Sequence, residues 1–142
     1  MSQENVEVVG RLREALNARD LDRYYAEFFD PEVEWRTSVE DPDAAIHRGL
    51  QAYKRYVGQW IESFDGLHAD VEESIDVGDD RVFTWCRYTG RGRTSGVSAD
   101  WYLAIIFTIR DGKVVRGEEY FDRNEALKAV GLSEQDTHAG SS

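Results

Sequence analysis

Between Phe64 and Leu67 the spacing of apolar residues changes from that of a helix to that of a strand. That change limits the fold more than any other feature of the chain. Before it, Leu50, Tyr53, Val57, Trp60, Ile61 and Phe64 recur at helical spacing. After it come four alternating segments, "LHADVEESIDV", "RVFTWCRYTG", "VSADWYLAIIFTI" and "KVVRGEEYF". The linkers are "GDD", "RGRTSG" and "RDG", and Arg110-Asp111-Gly112 is a strong hairpin signal. Helices first and strands later indicate an α+β fold with an antiparallel meander rather than a parallel sheet.

The flanks are also legible. Val6, Val9, Leu12 and Leu16 form one stripe of a first helix that ends over residues 17–20. Asp20 is placed to cap a second helix that buries Leu21, Tyr24, Tyr25 and Phe28. "DPE" (30–32) reads as a turn, and "VEWRTS" as a short strand with Val33, Trp35 and Thr37 on one face. "VEDPDAAIHRG" (39–49) reads as a loop. Asp122 and Glu125 have capping-box spacing, which predicts a helix over 125–130 stopped by Gly131, with Leu132 making the contact after it. The expected organisation is a single domain over 1–132 and a polar, disordered tail over 133–142.

The third segment of the meander sets how the sheet packs. Val97, Ala99, Trp101, Leu103, Ile105, Phe107 and Ile109 make one unbroken apolar row. The opposite row, Ser98, Asp100, Tyr102, Ala104, Ile106 and Thr108, is mixed. One face meets the helices. The other is too apolar for open water and too polar for a core, and a homodimer interface suits it.

Composition narrows the function classes. The net charge of −11 on 142 residues argues against nucleic acid as a partner. No apolar run approaches a membrane span and no signal pattern opens the chain, so a soluble, cytoplasmic protein is expected. The single cysteine, Cys86, lies inside a strand pattern and reads as a buried spectator. His47 and His68 are separated by a whole helix, so no metal site is expected. No phosphate loop, nucleophile elbow or dinucleotide fingerprint is present, and no cofactor is expected.

One residue breaks the pattern. Along "KVVRGEEYF", Val114, Arg116, Glu118 and Tyr120 share one face and read as the wet row. Val115, Gly117, Glu119 and Phe121 share the other, and this dry row is apolar except for Glu119. A carboxylate held there is desolvated, which raises its pKa unless a cation offsets the effect. Two readings stay open: a general base or acid, or a structural brace paired with an arginine such as Arg36 or Arg87. Glu73 likewise interrupts the row Leu67, Ala69, Val71, Ile75, Val77, where a bulge that turns it outward is expected.

The order of elements, with "ALNARDLDRYYAEFFDPEVEW", "IHRGLQAYKRYV" and "FTIRDGKVVRGEEYFDRNEAL", resembles the SnoaL-like branch of the nuclear transport factor 2-like superfamily. The resemblance spans residues 4–132. It implies a cone: a curved antiparallel sheet wrapped around three N-terminal helices, dimeric through the outer sheet face and open at one end onto an apolar pocket. Relatives include cyclases, isomerases, dehydratases, epoxide hydrolases and binding modules, so the fold alone does not name a reaction. The positions used by ketosteroid isomerases fall on Leu12, Trp35 and Ile105, all apolar, and that chemistry does not carry over. The nearest residues to the epoxide-hydrolase arrangement are Asp100 and Arg87. The acid of SnoaL-type cyclases falls on Glu119, and its histidine partner on Ile105.

The resulting expectation is a small, mostly apolar molecule bound in the cone, without membrane or nucleic-acid partners. Glu119 is the candidate catalytic residue, with Tyr102, Tyr120 or Arg87 as orienting donors. Trp35, His47, Trp60, Trp85, Arg87, Trp101, Ile105 and Tyr120 are the candidate pocket residues. A binding module, a cofactor-free isomerase, cyclase or hydrolase, and a dimeric accessory domain are the functions considered.

Overall fold

The computed structural model describes residues 2–37 and 44–133. The tail expected over 133–142 lies outside them apart from Ser133, and so does much of the loop expected over 39–49. The elements are α1 (Ser2–Asn17), α2 (Leu21–Phe28), β1 (Phe29–Arg36), β2 (Ile46–Arg48), α3 (Leu50–Ser63), β3 (Phe64–Gly78), β4 (Arg81–Gly92), β5 (Ser98–Arg110), β6 (Lys113–Tyr120) and α4 (Arg123–Ala129). The six strands form one curved, unclosed sheet in the order β2-β1-β6-β5-β4-β3. The meander is antiparallel as expected, while β1 runs parallel to β6. These two strands meet across most of the chain, so no hairpin dictates their direction.

Local chemistry explains the turns. Asp79 and Asp80 (φ 56° and 63°) join β3 to β4, and Asp111 and Gly112 (φ 52° and 76°) join β5 to β6. Two residues in the left-handed region are what a two-residue hairpin turn of matching twist requires. "DPE" is taken up within β1 as an irregularity, where the Glu32 N–H donates to Asp30 Oδ1 at 2.8 Å. Asp20 stands at the N-cap of α2, but its side chain makes no capping bond. Asp122 does cap: its carboxylate accepts from the N–H groups of Asn124 (2.8 Å) and Glu125 (3.2 Å). Gly131 (φ 79°) stops α4, and the Leu132 N–H returns to the Leu127 carbonyl at 2.8 Å.

Two cores lie on opposite faces of the sheet. The concave core joins α1, α2 and α3 to Val33, Trp35, Leu103, Ile105, Phe107 and Ile109. The convex core joins Phe83, Ala104, Ile106 and Tyr120 to Ala126, Leu127 and Val130 of α4. The mixed row of β5 is therefore covered in part by the chain's own last helix. At the free edge of the sheet, Asn17 clamps α1 to β3: its Nδ2 donates to the Ala69 carbonyl and its Oδ1 accepts from the Ala69 N–H, both at 2.9 Å. Paired edges of this kind resist strand addition.

Bulges decide which side chains face which core. In β3 the register shifts between Val71 and Glu73. Val71 then packs on the concave core, and Ile75 and Val77 on the convex one. Glu73 faces α4 and pairs with Arg123. In β6 a shift between Val114 and Arg116 turns Val114 inward, fully buried. The wet row expected for β6 is thus corrected at both ends, since Tyr120 is also buried, under α4. Phe121, expected in the dry row, lies beyond the end of β6 and is 59% exposed.

Candidate functional site

The concave face carries a two-part pocket. An inner chamber of about 50 Å³ is lined in part by Arg13, Tyr24, Tyr53 and Tyr88. A wider vestibule of about 550 Å³ is lined by Thr37, Phe64 and Phe121 among others. Tyr56, Trp60, Trp101, Leu103 and Glu119 line both and so form the neck between them.

Glu119 is 5% exposed. Its Oε2 accepts from Trp35 Nε1 at 2.8 Å, and the Tyr56 hydroxyl donates to Oε1 (2.8 Å) and Oε2 (2.9 Å). β1 and α3 supply these donors to a residue 84 and 63 positions away. Among the described residues no cation lies within ion-pair distance of Glu119. The arginines considered as braces are engaged elsewhere, Arg36 with Glu34 and Arg87 with Asp100. Burial raises the Glu119 pKa above the usual carboxylate range, and the bonds from Trp35 and Tyr56 and the charge of Arg13 pull back only partly. The neighbouring Tyr56 phenol is itself pushed far up by burial and by Glu119, so it stays protonated and donates.

Apart from Leu103 the rest of the neck is aromatic. The Trp60 ring stacks on Phe64 (5.9 Å) and on Trp101 (5.5 Å), and Tyr88 stacks on Trp101 (5.6 Å). His47 stacks on Tyr56 at 4.7 Å and backs the neck rather than lining it. Burial, with help from Arg55, lowers the His47 pKa, so its ring is neutral near pH 7. Gly117 makes the Trp35 contact possible, because a Cβ there would clash with the Cε3 and Cζ3 carbons of the indole.

The structure brings Glu119, Trp35, Trp60 and Trp101 together. Ile105 pairs with Glu119 across the sheet but is sealed in the core, 1% exposed. Trp85, Arg87 and Tyr120, expected at the pocket, are on the convex face. Trp85 stacks on Tyr102 at 5.1 Å, Arg87 pairs with Asp100 across the strands, and Tyr120 packs under α4. The Tyr102 hydroxyl donates to Glu72, not to Glu119. The reason is parity: Trp85, Arg87, Tyr102 and Tyr120 all occupy the row opposite Glu119 once the bulges are counted, and of these Tyr102 still borders the vestibule.

Tyr56, Tyr88 and Arg13 belong to the site, and the sequence pattern does not single them out. Tyr56 sits between Tyr53 and Trp60 on the stripe of α3, and only its position toward Glu119 distinguishes it from core. Arg13 lies four residues after Val9 and three before Leu16, inside the apolar stripe of α1. A charge in such a stripe was the available signal. Its side chain is buried, with Cζ 5.7 Å from the Tyr88 ring centre and 5.5 Å from that of Phe107. Among the described residues no three His, Cys, Asp or Glu side chains group as a metal site requires.

Residues 9–117 match the SnoaL-like domain family. Similar solved structures include Bal32a from a soil-derived mobile gene cassette, 28% identical, with 84% of this chain and 90% of that one covered and a TM-score of 0.73. A protein from Jannaschia sp. CCS1, named as a candidate SnoaL-like polyketide cyclase, is 24% identical over 92% of this chain and 93% of its own, with a TM-score of 0.74. TerC, co-crystallised with polyporic acid, is 21% identical over 89% of this chain and 98% of its own, with a TM-score of 0.69. The latter two likenesses carry the fold alone. No curated protein matches the chain.

Proposed function

The chain belongs to the SnoaL-like domain family, and from that premise we propose that it binds a small, mostly apolar molecule at the neck and exchanges a proton with it through Glu119. The reaction class is cofactor-free proton transfer next to a carbonyl, as in an isomerase, cyclase or hydrolase. The single observation that carries this reading is the environment of Glu119. A bracing carboxylate is normally matched by a cation, and this one is held by two neutral donors at the junction of two cavities. Burial favours its protonated form, the donors favour its ionised form, and a group balanced in that way is suited to accept and return a proton. Trp35 and Tyr56 fix the direction of its lone pairs, while the aromatic neck supplies flat apolar contact to the ligand.

A binding module without chemistry is the second reading. Ile105, where SnoaL-type cyclases carry histidine, favours it, because no side chain beside Glu119 on β5 shares the proton. The two readings separate with 2-tetralone, a flat apolar ketone with exchangeable protons next to its carbonyl. Incubated in heavy water and followed by NMR, it should exchange faster with the protein than without it. Glu119→Gln should lose about 100-fold or more of that acceleration while quenching of tryptophan fluorescence by the ketone stays nearly unchanged. Binding without accelerated exchange selects the binding module. A Gln variant that exchanges normally and only melts earlier restores the brace.

The proposal includes a homodimer through the part of the convex face that α4 leaves open, around the stacked rings of Trp85 and Tyr102. Sedimentation in dilute buffer at the mass of one chain overturns that part.

A further inference from the structure

Arg13 is 5% exposed, and its Nε and Nη2 are buried with no hydrogen-bond partner. Among the described residues no carboxylate lies within ion-pair distance of it. A guanidinium does not give up its proton in a protein, so this is a charge kept out of water with two donors unused. The faces of Tyr88 and Phe107 offset part of the desolvation, but an aromatic face accepts no in-plane N–H bond. Such a group is costly to the fold unless something else completes it.

Its position and shape say what completes it. Nε and Nη2 share one edge of the guanidinium plane, the fork that fits the two oxygens of a carboxylate. Arg13 lines the inner chamber and not the vestibule. The chamber, at about 50 Å³, has room for roughly three or four water-sized groups. That suffices for a carboxylate and excludes a ring system. A larger body must stay in the vestibule, against Trp60, Phe64 and Trp101. Burial raises the Glu119 pKa, which weakens the opposition of this carboxyl to an incoming anion.

We propose that the ligand is a flat, apolar carboxylic acid whose carboxylate enters the inner chamber and takes both free donors of Arg13, leaving its apolar body at the neck and in the vestibule. This names the ligand class for the pocket described above. It rests on that pocket binding an apolar molecule but not on proton transfer by Glu119.

The test uses two probes of one shape, 2-naphthoate and the neutral 2-naphthamide, titrated into the full chain by calorimetry. The wild-type protein should bind the acid at least about tenfold more tightly. Arg13→Met should abolish that preference while changing amide affinity less than about threefold, and Arg13→Lys, which keeps the charge without the fork, should retain part of it. Equal binding of the two probes by the wild type overturns the proposal, even if Arg13→Met does not fold. So does a preference that survives Arg13→Met. Acetate binding as tightly as naphthoate also overturns it, because the chamber would then hold a lone anion. None of these results alters the 2-tetralone exchange experiment, so the two proposals fail separately.

Discussion

Glu118 and Glu119 are neighbours in the chain and stand on opposite faces of one sheet. Glu118 points to the convex face and meets Arg116 at 3.7 Å. Two further pairs on that face are Arg87 with Asp100 and Arg123 with Glu73. Glu119 and Arg13, on the concave face, have no ion partner among the described residues, and both are 5% exposed. Water and mobile side chains can satisfy a charge on the convex side at little cost. On the concave side each charge must be answered by a fixed donor or by a ligand. The convex face is therefore organised for stability, with α4 closing over its apolar part. The concave face spends stability on a polar neck inside an aromatic pocket.

The sharpest way to break that comparison is Gly117→Ala. The new Cβ would clash with the Cε3 and Cζ3 carbons of Trp35. Trp35 cannot move aside, because Tyr53 (4.7 Å), Phe107 (5.8 Å) and Phe29 (6.4 Å) surround it. A loss of about 2–3 kcal/mol is expected in urea unfolding, and a change near zero would mean that Trp35 is not held against the strand. Trp35→Phe is a milder intervention. It removes one of the two donors to Glu119, and a cost of about 1–2 kcal/mol is expected, with the Glu119 pKa rising further.

A pH series sharpens the difference between the faces. The folded chain holds the Glu119 proton to higher pH than the unfolded chain, whose carboxyl titrates near 4.5. The stability that this gives is complete below the unfolded value and is lost as pH rises through the folded one. Relative to Glu119→Gln, which does not titrate, the wild-type protein should therefore lose melting temperature as pH rises from about 4.5. A difference that is flat with pH would show Glu119 ionised and comfortable. The smallest effect belongs to the convex side, where Arg87→Ala should leave unfolding and 2-tetralone exchange unchanged. Loss of exchange in that variant would move the site to the other face of the sheet.

The elements were legible because their signals are local. The stripes of α1 and α3, the paired left-handed residues at Asp111-Gly112, the cap at Asp122 and the stop at Gly131 each depend on a few neighbours. Alternation also placed Glu119 on the inner face. It misplaced Val114 and Tyr120, because a bulge changes the count and a helix later in the chain covers the outer row. The same parity problem put Trp85 and Arg87 at the pocket. β2 falls inside the stretch that reads as loop, since three residues carry too little pattern to show a strand.

By itself the sequence determined the order of helices and strands, the hairpins and the presence of one acid among apolar residues, since these follow from spacing and backbone preference along the chain. Tertiary structure alone decided what surrounds that acid. Trp35, Tyr56 and Arg13 come from three different elements, and a curved sheet sets them around Glu119 at distances no periodicity encodes. A charge becomes a binding or reacting group through what surrounds it, and those surroundings exist only after the sheet has closed over the helices.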